Sequence, residues 1–533
     1  MLDPVSVEPS EECAGIAAPE TRRGMDTRWG ISHAVRAGRT IFGDDGHGVI
    51  KSGRLAGLSM NHAIFVASWP VLCESILNST IALVDTVLAS KISIQAADAV
   101  GGASYMVWFI GLITMAIGVG ATALIARSMG AGKLAVARGA LGQAILLAAI
   151  GGVFTAVLLA SLAGPIASLL SLKGQAREDI ITYLRAYSLG VPFSTILFAG
   201  TACARGMGDT IRPLMTMIVV NIVNLFAAWL LALQLNLGVL GIGLGTAIAH
   251  AVGAGVVLYF HIKGTGGVSL TMRWLRPHRT TLSRLVRLGL PNFAETFGMW
   301  FVNMLIILMV GSMSASAVIN GGLGTAAAVA ADAGGLLGAH SWAIRIEAYS
   351  FLPGFSMGLA ASALAGQYLG AGAPELARRA AIKCAAIACV IMGFAGIVLA
   401  VAGDPVVRAL TPQAVHVQIV PQLLWITGLV QVPFAIAIVL RSAMHGAGDV
   451  RAVMIMTWVS QWGLRLPLAY AISGVDIHVP SWLAGRADMI IENPFPFDLG
   501  LRGLWIGLCI EICIRAMIYA GRFIHGGWML ARV

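Results

Sequence analysis

Glu74, Asn78 and Asp85 sit in an otherwise apolar, membrane-length stretch, SWPVLCESILNSTIALVDTVLASK, residues 68–91. At about 100° per residue on a helix the three fall within roughly 40° of one another, so they form one polar stripe. A carboxylate in lipid is costly, and where it persists it usually faces a water-filled cavity or an ion path. The stripe is therefore a candidate to face a water-filled cavity or an ion path. The plainer alternative is that one acid bonds a neighbouring helix and the other lies among headgroups.

A second group of such residues follows in the other half of the chain. Glu295, Arg345, Glu347, Gln461 and Arg465 all lie inside apolar segments and are candidates for lining a polar, substrate-binding cavity. Arg345 and Glu347, two apart in AHSWAIRIEAYSFLP, do not face each other on a helix, so each needs a partner elsewhere. A buried Arg465, in WGLRLPLAY, should pair with an acid such as Glu295 or Glu347. Glu511 and Arg515, four apart, read as an intrahelical pair. His340 is expected near the outer membrane boundary.

The elements that hold these groups follow from composition. The chain is 58% hydrophobic and only 11% charged, with a mean hydropathy of +0.83. Ordinary globular chains carry about a quarter charged residues, so the fold class expected is an all-α polytopic membrane protein. Its 64 glycines suit helices that pack closely through small residues. The net charge of +10 does not point to nucleic acid, because the basic residues lie in short loops rather than on one aromatic-interleaved face. Of the seven cysteines, Cys13 is in the polar N-terminal part and the other six lie in apolar segments, where they read as small hydrophobes.

About twelve segments are long enough to span a bilayer, centred near 60–88, 103–127, 136–163, 181–204, 213–235, 238–262, 287–311, 340–366, 378–402, 417–443, 452–473 and 500–524. The loops after even-numbered segments hold about sixteen Lys and Arg against about seven in the others, which predicts that they and both termini are cytoplasmic. The long loops near 311–339 and 472–499 then lie outside. They read as tolerated insertions, or as the rim of a vestibule.

An internal repeat organises the chain. ARSMGAGKLAVAR at 126–138 recurs as GQYLGAGAPELAR at 366–378, and RGMGD at 205–209 recurs as HGAGD at 445–449, each about 240 residues on. Residues 57–262 and 287–527 are thus two six-helix halves, separated by a basic linker at 263–286 and flanked by an extension at 1–56 and a tail at 528–533. An even number of spans per half makes the repeats parallel. Aligning Pro70 with Pro291 places Glu74 opposite Glu295, so each half begins with Pro-x-x-x-Glu. Pro70 and Pro291 are candidate hinges, and Pro192, Pro353, Pro433 and Pro467 are further sites at which a helix can bend. MGAGK at 129–133 lacks the spacing of a phosphate loop, so both GAG loops read as helix ends, and Asp209 and Asp449 read as helix caps.

These motifs together resemble the multidrug and toxic compound extrusion family. WPVLCESILNSTIALVDT, the RSMGAG and QYLGAG loops, RGMGD, AHSWAIRIEAYSFLPGFSMGLAASALAGQYLGAG and WGLRLPLAY carry the resemblance across roughly residues 57–527. It implies two pseudo-symmetric six-helix lobes forming a V-shaped antiporter, one that exports organic, often cationic compounds in exchange for H⁺ or Na⁺. Asp85 in LVDT matches the family's cation-coupling aspartate, and Glu295 in LPNFAE its acidic position in the seventh helix. Many relatives carry an aspartate four residues after the asparagine equivalent to Asn224, where this chain has Ala228. Glu74 is a candidate substitute, although it stands roughly 16 Å from Asp85 along a helix.

The expectation is a multidrug exporter of a bacterial inner membrane, working as a monomer on small organic molecules among membrane lipids, with no cofactor. A flippase for lipid-linked precursors is the alternative within the same large group, although mixed-sign intramembrane charges suit it less. A membrane-embedded enzyme is disfavoured, because the chain has no His-Glu-x-x-His, Gly-x-Ser-x-Gly or nucleotide-loop pattern.

Overall fold

The computed structural model describes residues 49–50, 53–169, 174–264, 266–319, 335–411, 413–479, 489–497 and 499–531. All but six residues of the expected extension at 1–56 therefore lie outside the described residues, as do 320–334 and 480–488 of the two long loops.

Nine long helices run through the apolar segments: α1 Met60–Ile92, α2 Ile94–Gly130, α3 Leu134–Leu169, α4 Gly174–Gly206, α5 Ile211–Trp229, α6 Gly238–Lys263, α7 Arg279–Ile319, α8 Gly335–Gly370 and α9 Pro374–Leu410. The next expected span is broken into α10 Ala414–Leu429 and α11 Gln431–Ala447, bent by 58°. The break falls three residues before Pro433, which has no N–H to give the carbonyl one turn back. The span after it is α12 Val450–Ser460, a π turn at Gln461–Arg465, and α13 Leu466–Ser473. Pro467 stands just beyond that turn. The last is α14 Gly500–His525.

Among the described residues, ten helices and the bent pair are long and apolar enough to cross a membrane. The remaining expected segment, the eleventh, is the one divided by the π turn. Its long loop is not wholly irregular: β1 Ile477–Val479 pairs antiparallel with β2 Met489–Ile491, Ile477 opposite Ile491.

Hydroxyls inside α1 are absorbed by the helix itself. Ser75 and Thr86 donate to Val71 O and Ala82 O, each at 2.8 Å. This leaves the acids of the stripe as the groups that must find partners on other helices.

The distribution of core residues shows how the halves meet. One cluster joins Met60, Ala63, Ile64 and Ala67 of α1 to α8, α9, α11 and α14. A second joins Leu285 and Leu288 of α7 to α2, α3 and α4. Each half thus lends the start of its first helix to the other half's core. The clusters around Leu88, Tyr183 and Ile242 and around Val302, Leu423 and Leu504 each belong to a single half. The halves share cores at the end carrying the basic loops and keep separate cores at the far end.

At the shared end α2 and α8 approach backbone to backbone. A Cβ on Gly130 would run into Gln367 O, and one on Gly370 into Arg127 O. The GAG turns beyond them need left-handed backbone at Gly132, φ +71°, and Gly372, φ +78°, which glycine adopts without strain. Residues 527–531 do not form a free tail: Trp528 is fully buried against Phe523, and Arg127 Nη1 donates to Ala531 O at 2.9 Å.

Gly370→Val should destabilise this crossing by about 1–3 kcal/mol or more through overpacking. The expected readout is a lower midpoint of thermal unfolding of the detergent-solubilised protein. An unchanged midpoint would mean that α2 and α8 are not in backbone contact.

Candidate functional site

Asp85 lies in the far half of α1 and is 4% exposed. Three other helices converge on it. Tyr183 of α4 donates from its hydroxyl to Asp85 Oδ2 at 3.2 Å, and Thr246 of α6 donates to the same oxygen at 3.0 Å. Asn224 of α5 in turn donates its Nδ2 hydrogen to Thr246 Oγ1 at 3.0 Å. Tyr187 stacks beside Tyr183 with ring centroids 6.0 Å apart. Among the described residues no Lys, Arg or His forms an ion pair with Asp85. Ala228 is buried where α5 crosses α6, its backbone pressed against Gly245. The site is thus a single carboxylate among neutral donors.

Glu74 belongs to a different arrangement. Its Oε1 is 2.8 Å from Arg205 Nη1 at the end of α4, while its Oε2 has no hydrogen-bond partner among the described residues. Asn78, on the same stripe, is exposed. The structure therefore brings Asn224 together with Asp85, leaves Asn78 open, and gives Glu74 its own cation.

The second half repeats this pairing. Glu295 is fully buried, and its Oε2 lies 3.0 Å from His445 Nε2. Arg205 and His445 are the first residues of the duplicated RGMGD and HGAGD motifs, so each half ties its Pro-x-x-x-Glu helix to the base of its own loop. Glu295 collects more: Arg441 Nε at 2.5 Å and Thr457 Oγ1 at 2.8 Å, with Tyr519 Oη a further 2.6 Å from Thr457.

The remaining candidates separate. Arg465 pairs with neither Glu295 nor Glu347; its Nη1 is 3.1 Å from Glu511 Oε2. The π turn at 461–465 sets it beside α14, where Glu511 also accepts from Ser460 and pairs with Arg515 at 3.2 Å. Glu347 instead accepts from Thr427 at 2.6 Å, next to a Ser350–Gln431 bond of 3.1 Å. Arg345 is exposed, and Gln461 is buried with its Oε1 lacking a donor among the described residues. His340, in the second turn of α8, is buried and accepts from Trp505 Nε1 at 3.0 Å. Pro70 and Pro291 sit inside α1 and α7, which stay helical through them. Asp449 precedes α12 but does not cap it, because its carboxylate turns to Arg522 at 2.9 Å; Asp209 does accept from Arg212 N at 3.3 Å.

Sequence reading missed Tyr183, Thr246, Arg441 and Thr457, common residue types with no local signature. The bases of the duplicated loops were visible, but only as markers of topology.

The profile described as MatE matches residues 70–230 and 336–471, more than half of the chain. The chain belongs to the MatE family. MatE relatives include a probable multidrug resistance protein NorM of Thermotoga maritima, 26% identical over 470 residues that cover 86% of this chain and 91% of that one. The multidrug resistance protein PmpM of Pseudomonas aeruginosa is 26% identical over 385 residues, 68% of this chain and 71% of that one. A MATE structure in the bent conformation superposes with a TM-score of 0.74 at 20% identity, covering 88% of this chain and 96% of that one. The Vibrio cholerae MATE transporter VcmN in its bent form gives 0.72 at 19% identity, covering 89% and 99%. The MatE fold of two pseudo-symmetric six-helix lobes is thereby that of this chain.

The Glu74–Arg205 pair lies largely out of solvent, with side-chain exposures of 9% and 14%. Arg205→Ala should cost about 3 kcal/mol by stranding the acid, and adding Glu74→Gln should recover part of that loss. Thermal or denaturant unfolding of the two single variants and the double variant measures the coupling. Strict additivity would show that the pair contributes nothing.

Proposed function

We propose that this MatE-family chain is a secondary active antiporter that exports small organic compounds, cationic or amphipathic, in exchange for H⁺ by alternating access. Asp85 is the observation that carries this reading. A buried carboxylate with no basic partner is a costly group in a membrane, and its cost is relieved when it takes up a cation. Its neighbours favour a proton. Tyr183 and Thr246 both aim hydrogens at the carboxylate, and a proton on Asp85 needs only one acceptor among them. Na⁺ would need several of these oxygens turned towards it at once, and with alanine at 228 the site has no second acid to draw it in.

A proton and an organic cation both neutralise Asp85, so each weakens the binding of the other, and this reciprocity is the coupling. The share of positive charge in the loops supports placing the shared-core end inside a bacterial plasma membrane, with the termini on that side. The far end, where the two cores are separate, would then face out. In this cycle Asp85 takes up a proton from outside as the compound leaves, the halves rock, and the proton is lost inside. Glu347, bonded to the neutral Thr427, serves as the second half's contact for substrate, while Glu74 and Glu295 hold their helices to the loop bases. The printed names of the relatives, multidrug resistance proteins, support organic compounds as cargo.

Proteoliposomes loaded with a fluorescent organic cation test the reading. Acid on the side to which the dye is exported should speed its efflux, and a Na⁺ gradient of equal size should not. Asp85→Asn should reduce gradient-driven efflux at least about tenfold, as expected when a group essential to proton transfer is lost, and Thr246→Val should slow it less. Full coupled transport by Asp85→Asn would overturn the assignment. Transport driven by Na⁺ alone would overturn the choice of ion.

A further inference from the structure

The linker between the halves and the first turns of α7 carry a feature that the transport reading leaves unused. No Asp or Glu occurs from residue 210 to residue 294, yet Arg276, Arg279, Arg284 and Arg287 fall within that stretch and are all exposed. Among the described residues none of the four forms an ion pair.

Their backbone, by contrast, is fixed. Gln143 of α3 donates to Trp274 O and Arg276 O, both at 2.8 Å, and accepts from His278 N at 3.0 Å. Gly142 sets α3 directly against the Trp274 backbone. The arginines therefore project from an ordered strap with no internal carboxylate to hold them.

A solvated basic face would meet that description, but α7 adds a second observation. Counting 100° per residue, Arg279 lies within about 20° of Val286, Leu290 and Phe297. These three are exposed and apolar, at 42%, 62% and 38%. Arg279 thus heads an apolar stripe, with Leu290 roughly 16 Å further along the axis, while Arg287 and Arg284 stand about 80° and about 140° round the helix from it. An amphiphile with a phosphate at one end and acyl chains at the other has this layout.

We propose that the linker and the start of α7 bind an anionic phospholipid, its phosphate at Arg279 with the other three arginines adding to the positive field around it, and its chains along the α7 stripe. The charge selects the class. Four guanidiniums without a carboxylate attract a headgroup of net negative charge, whereas a choline headgroup presents its own cation to them. Because the linker is the only covalent connection between the halves, the lipid would fix it at the membrane surface while leaving Asp85 untouched.

The full chain in detergent, titrated with phosphatidylglycerol or phosphatidylcholine and followed by native mass spectrometry, tests this. The expected result is retention of phosphatidylglycerol at least about tenfold better than phosphatidylcholine. The preference should be lost in the R276Q/R279Q/R284Q/R287Q variant and kept when the same four positions are lysine. Should the fourfold glutamine variant fail to fold, Arg279→Gln with Arg287→Gln should weaken the preference severalfold. Equal retention of the two lipids by the wild type would overturn the proposal, as would an undiminished preference in a folded glutamine variant. Displacement of phosphatidylglycerol by millimolar inorganic phosphate would identify a free-anion site and overturn the lipid assignment.

Discussion

A charge in the lipid core must be neutralised nearby, and this single requirement arranges the interior of the protein. Glu74 is answered by Arg205, Glu295 by Arg441 and His445, and Glu511 by Arg465 and Arg515. Apart from Glu511–Arg515, which lies within α14, each pair joins different helices or fixes one helix to the end of another, so it locates the elements as well as cancelling charge. Against that background Asp85 differs in kind. It is equally buried, but its partners are hydroxyls, and the helices around it offer it hydrogen bonds without a counter-charge. Neutral contacts position the group while leaving its charge to be cancelled by something that comes and goes.

The two halves share a plan and depart from it where their chemistry differs. The first helix of each starts in the opposite half's core and anchors a glutamate on its own loop base. The second half then adds Arg441 and Thr457 to that glutamate, breaks one span ahead of Pro433, and inserts a π turn ahead of Pro467. These irregularities gather on the spans that carry Arg465 and Thr427, the partner of Glu347. The first half keeps regular helices around Asp85 and has its own π turn, Leu230–Gln234, directly after α5. One duplicated scaffold therefore holds two unlike polar centres.

Much of this was legible in the sequence because lipid restricts the alternatives. Continuous apolar runs must be helices, their lengths fix the spans, and duplicated GAG and GD motifs reveal the halves. The pairing of Glu511 with Arg515 was readable because both residues lie on one helix face. Partnerships between helices were not. Arg465 was expected to reach Glu295 or Glu347, but the π turn, which has no strong local signature, points it at Glu511. Glu74 was a candidate to replace the acid missing near Asp85 because the two share a stripe, yet different parts of α4 meet them, Arg205 at Glu74 and Tyr183 at Asp85. The short β pair and the docking of Trp528 were missed for a related reason: neither segment is periodic enough to be told from loop.

The α2–α8 crossing brings backbone against backbone at two glycines. Where Gly130 meets Gln367 and Gly370 meets Arg127, no interdigitated side chain has to leave one pocket and enter another when the helices separate. Resistance to parting there comes from lost contact area alone, with no rotamer exchange to wait for. In mechanical terms the surface is low in friction. In the alternating-access cycle proposed above, such a surface would fit closely when shut and return to the same fit without searching among alternative packings.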